Sequence, residues 1–428
     1  MLLAGPMSIP ITPMPYRGAH GDQKLSTKIS KFSQTQRQVS LVAISEFASV
    51  SASMGLPVAV TFAILDRGGS ASQVGLVLAG ASFTFIIFLL IGGVVADRRS
   101  RKLVAMASDL TRTIISVLIA AVIVFASAKE TELIVLAVLW GAARGFFTPS
   151  ITALIPEVVP SDSLQKANAF RSMAIALGQT AGPAITAVIM ASYSAAAATI
   201  FTAFLYLISA IALSLIHANP KASLSKGAHP LTDLFEGVRV VRERKWAALT
   251  ILSYSAMHLV AFGPILVLGP IIAQNHLGGV KAWGFLLGAQ GVGGLLGSIA
   301  GFKIRPKYPM RFIAIMTAFA AAFPLCLALG ANLIILGLAS ILEGIIFSAF
   351  EVIWSTLLQS SIPREALARV TSLDWMGSTA TLPLGELLAS PESRIFGVPG
   401  TLFVAAAAIA VGNLGLLTAR SIRSVRQP

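Results

Sequence analysis

Five ionisable side chains stand where charge is costly: Glu46, Arg144, Glu343, Glu351 and Glu386 each lie inside a run of apolar residues. If such runs cross a bilayer, a charge at mid-span costs about 2.5–3.5 kcal/mol on insertion scales. Five of them facing lipid would be hard to accommodate. They are expected to line a water-filled cavity, to pair with one another, or to carry protons. A carboxyl withdrawn from water holds its proton more readily. Glu46 and Glu351 are therefore the preferred proton-coupling candidates, with Glu343, Glu386 and Arg144 beside them.

Helical spacing groups these charges with aromatic rings. At 100° per residue, Glu343, Phe347, Phe350 and Trp354 fall within roughly a 60° stripe, with Glu351 at its edge. Trp140, Arg144 and Phe147 share a face in the same way, as do Tyr254, His258 and Phe262, and Glu46, Ser49 and Ser53. Such a lining suits an amphiphilic or cationic aromatic ligand. The competing account is that the rings are helix packing and that Arg144 pairs with a glutamate. His258 fits a packed, hydrogen-bonded residue better than a proton carrier.

Other chemistry lacks its residues. The single cysteine, Cys326, excludes an intrachain disulfide and a cysteine metal site, and the five histidines show no ligand spacing such as HExxH. No GxxxxGKS/T loop is present to cradle a nucleotide phosphate. No nucleophile and base stand in a recognisable pattern. Neither catalytic residues, nor a metal, nor a cofactor are expected.

The elements that must position these groups follow from composition. The chain has 428 residues, 55% hydrophobic and 12% charged, where a soluble domain averages about 25% charged. An ordinary soluble enzyme is excluded. Apolar runs recur at 39–65, 73–95, 103–126, 132–156, 168–191, 197–217, 246–274, 282–302, 310–329, 332–361, 371–390 and 399–419. Each is near or above the roughly 20 residues that a transmembrane helix needs. Twelve helices are expected, six on either side of a linker at 218–245, with bundles over 38–217 and 246–420. Residues 1–37 read as a flexible cytoplasmic tail without a signal-peptide core, and 421–428 as a second cytoplasmic tail.

The net charge of +14 comes from scattered residues, which argues against nucleic acid. With the N-terminus inside, only Arg67, Lys129, Lys281 and Arg394 of the 32 Lys and Arg fall in outer loops, and Arg144 lies within a span. Basic loops remain cytoplasmic, so both termini are expected there. Pro160 and Leu164 after span 4 are echoed by Pro363 and Leu367 after span 10. Repeated halves around a midplane site are a transporter arrangement.

Three motifs sharpen this. After span 2 the chain reads Gly93-Val94-Val95-Ala96-Asp97-Arg98-Arg99-Ser100-Arg101-Lys102. Glycine allows close helix approach, and one acid among bases can form an ion-pair latch. This resembles the signature loop of the major facilitator superfamily. The resemblance implies that Gly93, Asp97, Arg98 and Arg101 hold the halves together on the cytoplasmic side, with Arg112 of Ser108-Asp109-Leu110-Thr111-Arg112 joining them. Gly178, Gly182 and Pro183 in span 5 are similar to the motif of drug/proton antiporters, which favours export. Phe147, Pro149 and Ser150, then Gly291, Gly293, Gly294 and Gly297, Gln359 with Pro363, and Arg369 to Asp374 followed by Pro383 and Gly385 resemble one branch of that family. It is the macrolide-efflux and siderophore-exporter type, or transmembrane secretion effectors.

The resemblance implies an all-α membrane protein of twelve transmembrane helices in two pseudo-symmetric six-helix bundles, with spans 1, 4, 7 and 10 around the cavity. It implies a monomeric, proton-coupled exporter in a bacterial cytoplasmic membrane, moving drug-like, macrolide-like or siderophore-like small molecules by alternating access. Its partners would be the substrate, protons and the lipid bilayer. Uptake of a nutrient by the same fold is the first alternative, and a membrane enzyme or receptor the second.

Overall fold

Lipid offers no partner to backbone N–H and C=O groups, so a chain this apolar must satisfy them within helices. The computed structural model describes residues 19–125, 130–160, 163–217, 238–362 and 364–426, and no strand occurs among them. The first bundle consists of α1 (Ala19–Leu65), α2 (Ala71–Arg98), α3 (Arg101–Val124), α4 (Glu130–Val158), α5 (Leu164–Ser192) and α6 (Ala195–Ser214). The second opens with α7 (Lys245–Leu277), α8 (Val280–Lys303), α9 (Pro309–Ala328) and α10 (Leu333–Ser361).

Among the described residues eleven helices are long and apolar enough to cross a membrane, and the last, Leu373–Leu416, has 44 residues. At about 1.5 Å per residue that is twice the hydrocarbon thickness. Gly397 resolves the excess, because its φ of 71° breaks the helix. A side chain would clash in that conformation and glycine does not. The segment therefore forms two spans: α11, running over 364–396 with a turn at 380–381, and α12, over 398–416. Twelve spans result, as the apolar runs predict.

Local chemistry sets the helix ends. Ser70 caps α2 reciprocally with Gln73, Ser194 caps α6, and Asn332 accepts from Ile335 N at 3.0 Å at the start of α10. Ser100, inside the basic loop, caps α3. Helix α1 starts well before residue 38, so 19–37 is helical where a flexible tail was expected. Leu25, Ile29 and Phe32 recur there at helical spacing. Residues 1–18 and most of the linker, 218–237, lie outside the described residues, while 238–243 are helical.

Packing divides the spans into α1–α6 and α7–α12, joined mainly where α2 runs along α11 and α5 along α8. At one end of the molecule the bundles share apolar clusters: Phe62 and Met190 pack with Ile272, Trp283 and Leu286, and Val74 and Ile64 with Val267 and Ala389. At that end Gln274 Nε2 donates to Asp66 Oδ1 at 3.1 Å. At the other end, which carries Arg98 to Lys102, each bundle closes on itself among the described residues. Val42, Ala105, Ile151 and Leu213 form one cluster, and Ile251, Ile313, Leu357 and Val370 form another. Among the described residues the bundles are therefore sealed together at one end and separate at the basic end.

Candidate functional site

Two adjoining cavities lie between the seal and the basic end. One, of about 500 Å³, sits between the bundles and is lined by Ser53, Trp140, Arg144 and Pro183 on one side and by Gln290, Phe347 and Glu386 on the other. The second, of about 450 Å³, belongs to the C-terminal bundle and includes Tyr254, His258, Glu343, Phe350, Glu351 and Trp354. Gln290 and Phe347 line both. Spans 4, 7 and 10 thus supply lining residues as the resemblance implies, and span 1 does so through Ser53.

In the inter-bundle cavity the Arg144 guanidinium lies 4.3 Å from the centre of the Phe85 ring and 5.8 Å from that of Trp140. Among the described residues no acid lies within 4 Å of it. The competing account, a pairing of Arg144 with a glutamate, is not met among the described residues, and ring faces take that place. Glu386 comes from the opposite bundle. Ser82 Oγ donates to its Oε1 at 3.3 Å, and its Oε2 has no hydrogen-bond partner among the described residues although the side chain is buried.

In the C-terminal pocket three rings stack along the wall. Tyr254 lies 4.9 Å from Phe350 at an interplanar angle of 11°, and Phe350 lies 6.0 Å from Trp354 at 16°. Trp354 Nε1 donates to Asp374 Oδ2 at 2.8 Å. Gln290 Nε2 donates to Glu343 Oε2 at 3.0 Å. His258 Nδ1 lies 2.9 Å from the Tyr254 carbonyl, which can only accept, so the ring donates there. That is the packed, hydrogen-bonded histidine expected. The stretch His258–Phe262 is a π-helical turn, which carries the ring of Phe262 to within 5.5 Å of Phe347.

Several expected residues lie elsewhere. Glu46 lines neither cavity. It is buried within the first bundle, where Arg171 Nε of α5 stands 2.5 Å from its Oε1. Phe147 also belongs to the bundle interior, with the Arg112 guanidinium 4.8 Å from its ring centre.

Of the predicted latch residues, Arg112 lies apart from the loop. Arg112 is buried and paired with Asp109, and it donates to Ser53 and Ser49 at 2.9 Å each. It stands eleven residues beyond Arg101, about 16 Å along α3, too far to share one cluster at the helix end. Arg101 pairs with Glu157 at 3.1 Å and donates to the Ala153 carbonyl at 2.9 Å, both inside the same bundle. Arg98 is exposed, and the Asp97 side chain lies outside the described residues. Gly93 has open space around it; the close approach is made by Gly92, where a Cβ would come within 2.6 Å of the Gly145 carbonyl oxygen. The pitch of α2 turns Gly92, not Gly93, toward α4.

The span-5 glycines do pack helices. A Cβ on Gly182 would lie 2.6 Å from Ser51 Cα, and one on Gly178 would lie 3.0 Å from the Phe47 carbonyl oxygen, so α5 rides directly on α1.

Sequence reasoning missed Arg171, Ser82, Gln290 and Asp374 as site partners. Asp374 ends the Arg369–Asp374 stretch and was visible as an acid beside an apolar run. The others are single polar residues without a diagnostic spacing. Also unforeseen is the buried network in which Trp140 Nε1 donates to Tyr206 Oη at 3.0 Å, Tyr206 Oη lies 3.2 Å from Ser53 Oγ, and Asp109 and Arg112 complete the set.

Two helical bundles around a cavity that is closed at one end and lined by charge and aromatic rings define a multi-pass membrane transporter. The sequence pattern of the Major Facilitator Superfamily matches residues 42–385, and the chain belongs to that family. It is 25% identical over 376 residues to "Multidrug efflux pump Tap" of Mycolicibacterium fortuitum, covering 83% of this chain and 90% of that one. It is 26% identical over 387 residues to "Enterobactin exporter EntS" of Escherichia coli O1:K1 / APEC, with 88% of both chains covered. "Macrolide efflux protein A" of Streptococcus pyogenes is 21% identical over 379 residues, covering 83% and 90%. Among solved structures, the nucleoside transporter NupG superposes with a TM-score of 0.70 at 14% identity, over 89% of this chain and 98% of that one. The xylose transporter XylE from E. coli gives 0.65 at 13% identity, over 92% and 97%. These likenesses establish the fold.

Proposed function

We propose that the protein is a proton-coupled exporter of amphiphilic small molecules, taking substrate from the cytoplasm and releasing it on the far side by rocking of its two bundles. The observation that carries this reading is the inter-bundle cavity, sealed at one end and separated at the basic end, with a buried carboxyl on one wall. The positive-inside rule places the basic end in the cytoplasm, so this state faces inward and both termini are cytoplasmic. The names of the similar proteins, a multidrug pump, an enterobactin exporter and a macrolide efflux protein, support export of drug-like, macrolide-like or siderophore-like compounds. Family membership favours transport over any reaction on the substrate.

For the proton, Glu386, Glu343 and Glu351 are the carboxyls that reach the cavities, and Glu386 is the one tied across the bundle junction. Glu46, held by Arg171, ranks below them. A monomer in a bacterial cytoplasmic membrane, without metal or cofactor, completes the reading. The test is transport in proteoliposomes under an imposed pH gradient, with right-side-out and inverted vesicles compared. Accumulation of macrolide or dye only in inverted vesicles, abolished by a protonophore, is expected. Accumulation in right-side-out vesicles would establish uptake instead.

A further inference from the structure

The two cavities differ in charge. The inter-bundle cavity contains Arg144, but the pocket of the C-terminal bundle has, among the described residues, no Lys or Arg in its lining and does have three carboxyl groups, those of Glu343, Glu351 and Asp374. Two of these are already oriented as acceptors, Glu343 by Gln290 at 3.0 Å and Asp374 by Trp354 at 2.8 Å. Glu351 is exposed within the pocket. Along α10, Glu343 and Glu351 are about 12 Å apart, so negative charge brackets the wall instead of collecting at one point.

On the same wall runs the Tyr254, Phe350 and Trp354 stack, with Phe347 and Phe262 edge to face beside it. Ring faces attract cations and repel anions, so rings and acids select in the same direction. Ser340 adds an independent polar group to this wall. Its side chain is 1% exposed, it lines this pocket, and its Oγ has no hydrogen-bond partner among the described residues. A buried hydroxyl without a partner is costly, and a ligand N–H or carbonyl reaching it would supply one.

Resting on the transporter reading, we infer that this pocket binds lipophilic aromatic or amine-bearing cations as a subsite distinct from the Arg144 cavity, and that it discriminates against anions of the same shape. A catecholate or carboxylate ligand would bring negative charge against three carboxyls, with His258 the one ring nitrogen base and no Lys or Arg among the described lining residues. The cavity volume admits the rings of a drug-sized molecule, and Phe347 and Gln290, common to both linings, stand where the two cavities adjoin.

The test uses the full chain, purified in detergent and titrated calorimetrically with tetraphenylphosphonium and with tetraphenylborate, a cation and an anion of nearly one shape, against empty micelles. The expected result is binding of the cation about tenfold or more tighter than the anion. Glu343→Gln and Glu351→Gln should each weaken cation binding about tenfold while narrowing the gap to the anion. Glu351→Asp, which retains the charge, should keep most of the affinity and so guards against misfolding of the Gln variants. Arg144→Gln should leave the preference for the cation in place. Equal binding of the two ions, or unchanged selectivity in the Glu343→Gln/Glu351→Gln double variant, overturns the inference. Binding selectivity is read without a membrane gradient, so its failure leaves vesicle export untouched, and failure of export leaves the subsite intact.

Discussion

Ser82 on α2 donates a hydrogen bond to Glu386 Oε1 on α11 at 3.3 Å, linking a hydroxyl of one bundle to a carboxyl of the other at the edge of the shared cavity. The second oxygen of Glu386 has no partner among the described residues. A carboxyl placed on the junction can report its protonation to both bundles. Glu386→Gln preserves shape and can still accept from Ser82. It is expected to reduce pH-gradient-driven transport about tenfold or more, while substrate exchange at equal pH continues. Radiolabelled counterflow beside gradient-driven uptake separates the two, and equal loss in both would assign Glu386 to substrate binding.

Arg171 neutralises Glu46 inside the first bundle, and Arg171 Nη2 also donates to Thr152 Oγ1 at 3.1 Å. Removing one partner of a buried pair strands the other at a cost of about 3–5 kcal/mol. Arg171→Ala should therefore lower the melting temperature markedly. The Glu46→Gln/Arg171→Gln double variant should recover most of the loss. Tryptophan fluorescence melts of the single and double variants measure this, and equal destabilisation of both would show that the pair does not depend on charge.

Gly92 and Gly93 make opposite predictions one residue apart. At Gly92 a methyl group would meet the backbone of α4, and overpacking of this kind costs about 1–3 kcal/mol. At Gly93 nothing lies within 4 Å of the same atom. There, Gly93→Ala should stabilise the helix by about 1 kcal/mol. Thermal melts of Gly92→Ala and Gly93→Ala should shift in opposite directions. Destabilisation by Gly93→Ala would restore the close-approach role that the loop resemblance implies.

The Asp66–Gln274 hydrogen bond spans the bundles at the sealed end. Alternating access requires this contact to open in the other state. In a Cys326→Ser background, Asp66→Cys with Gln274→Cys should form a disulfide under mild oxidant and stop transport, and reductant should restore it. Continued transport by the crosslinked protein would mean that the seal does not open at these residues.

The twelve spans and their division six and six were legible in the sequence, because hydrocarbon requires about 20 consecutive apolar residues per crossing and each run announces itself. The acids in those runs were equally visible as anomalies. Their partners were not. Glu46, Ser49 and Ser53 share a helix face, and spacing alone could not say whether that face turned to the cavity or to the neighbouring helices. In the fold Glu46 meets Arg171, while Ser53 reaches both Arg112 and the cavity. Phe147 met the same ambiguity and went inward.

Chain composition by itself determined a membrane-spanning, all-helical protein with charges that lipid cannot accept, since transfer energies depend on residue type and run length. Tertiary structure alone decided which of those charges share a cavity. That choice depends on the rotation of each helix about its axis, and packing against helices far away in the chain sets it: Gly182 against Ser51, Ser82 against Glu386, Arg171 against Glu46.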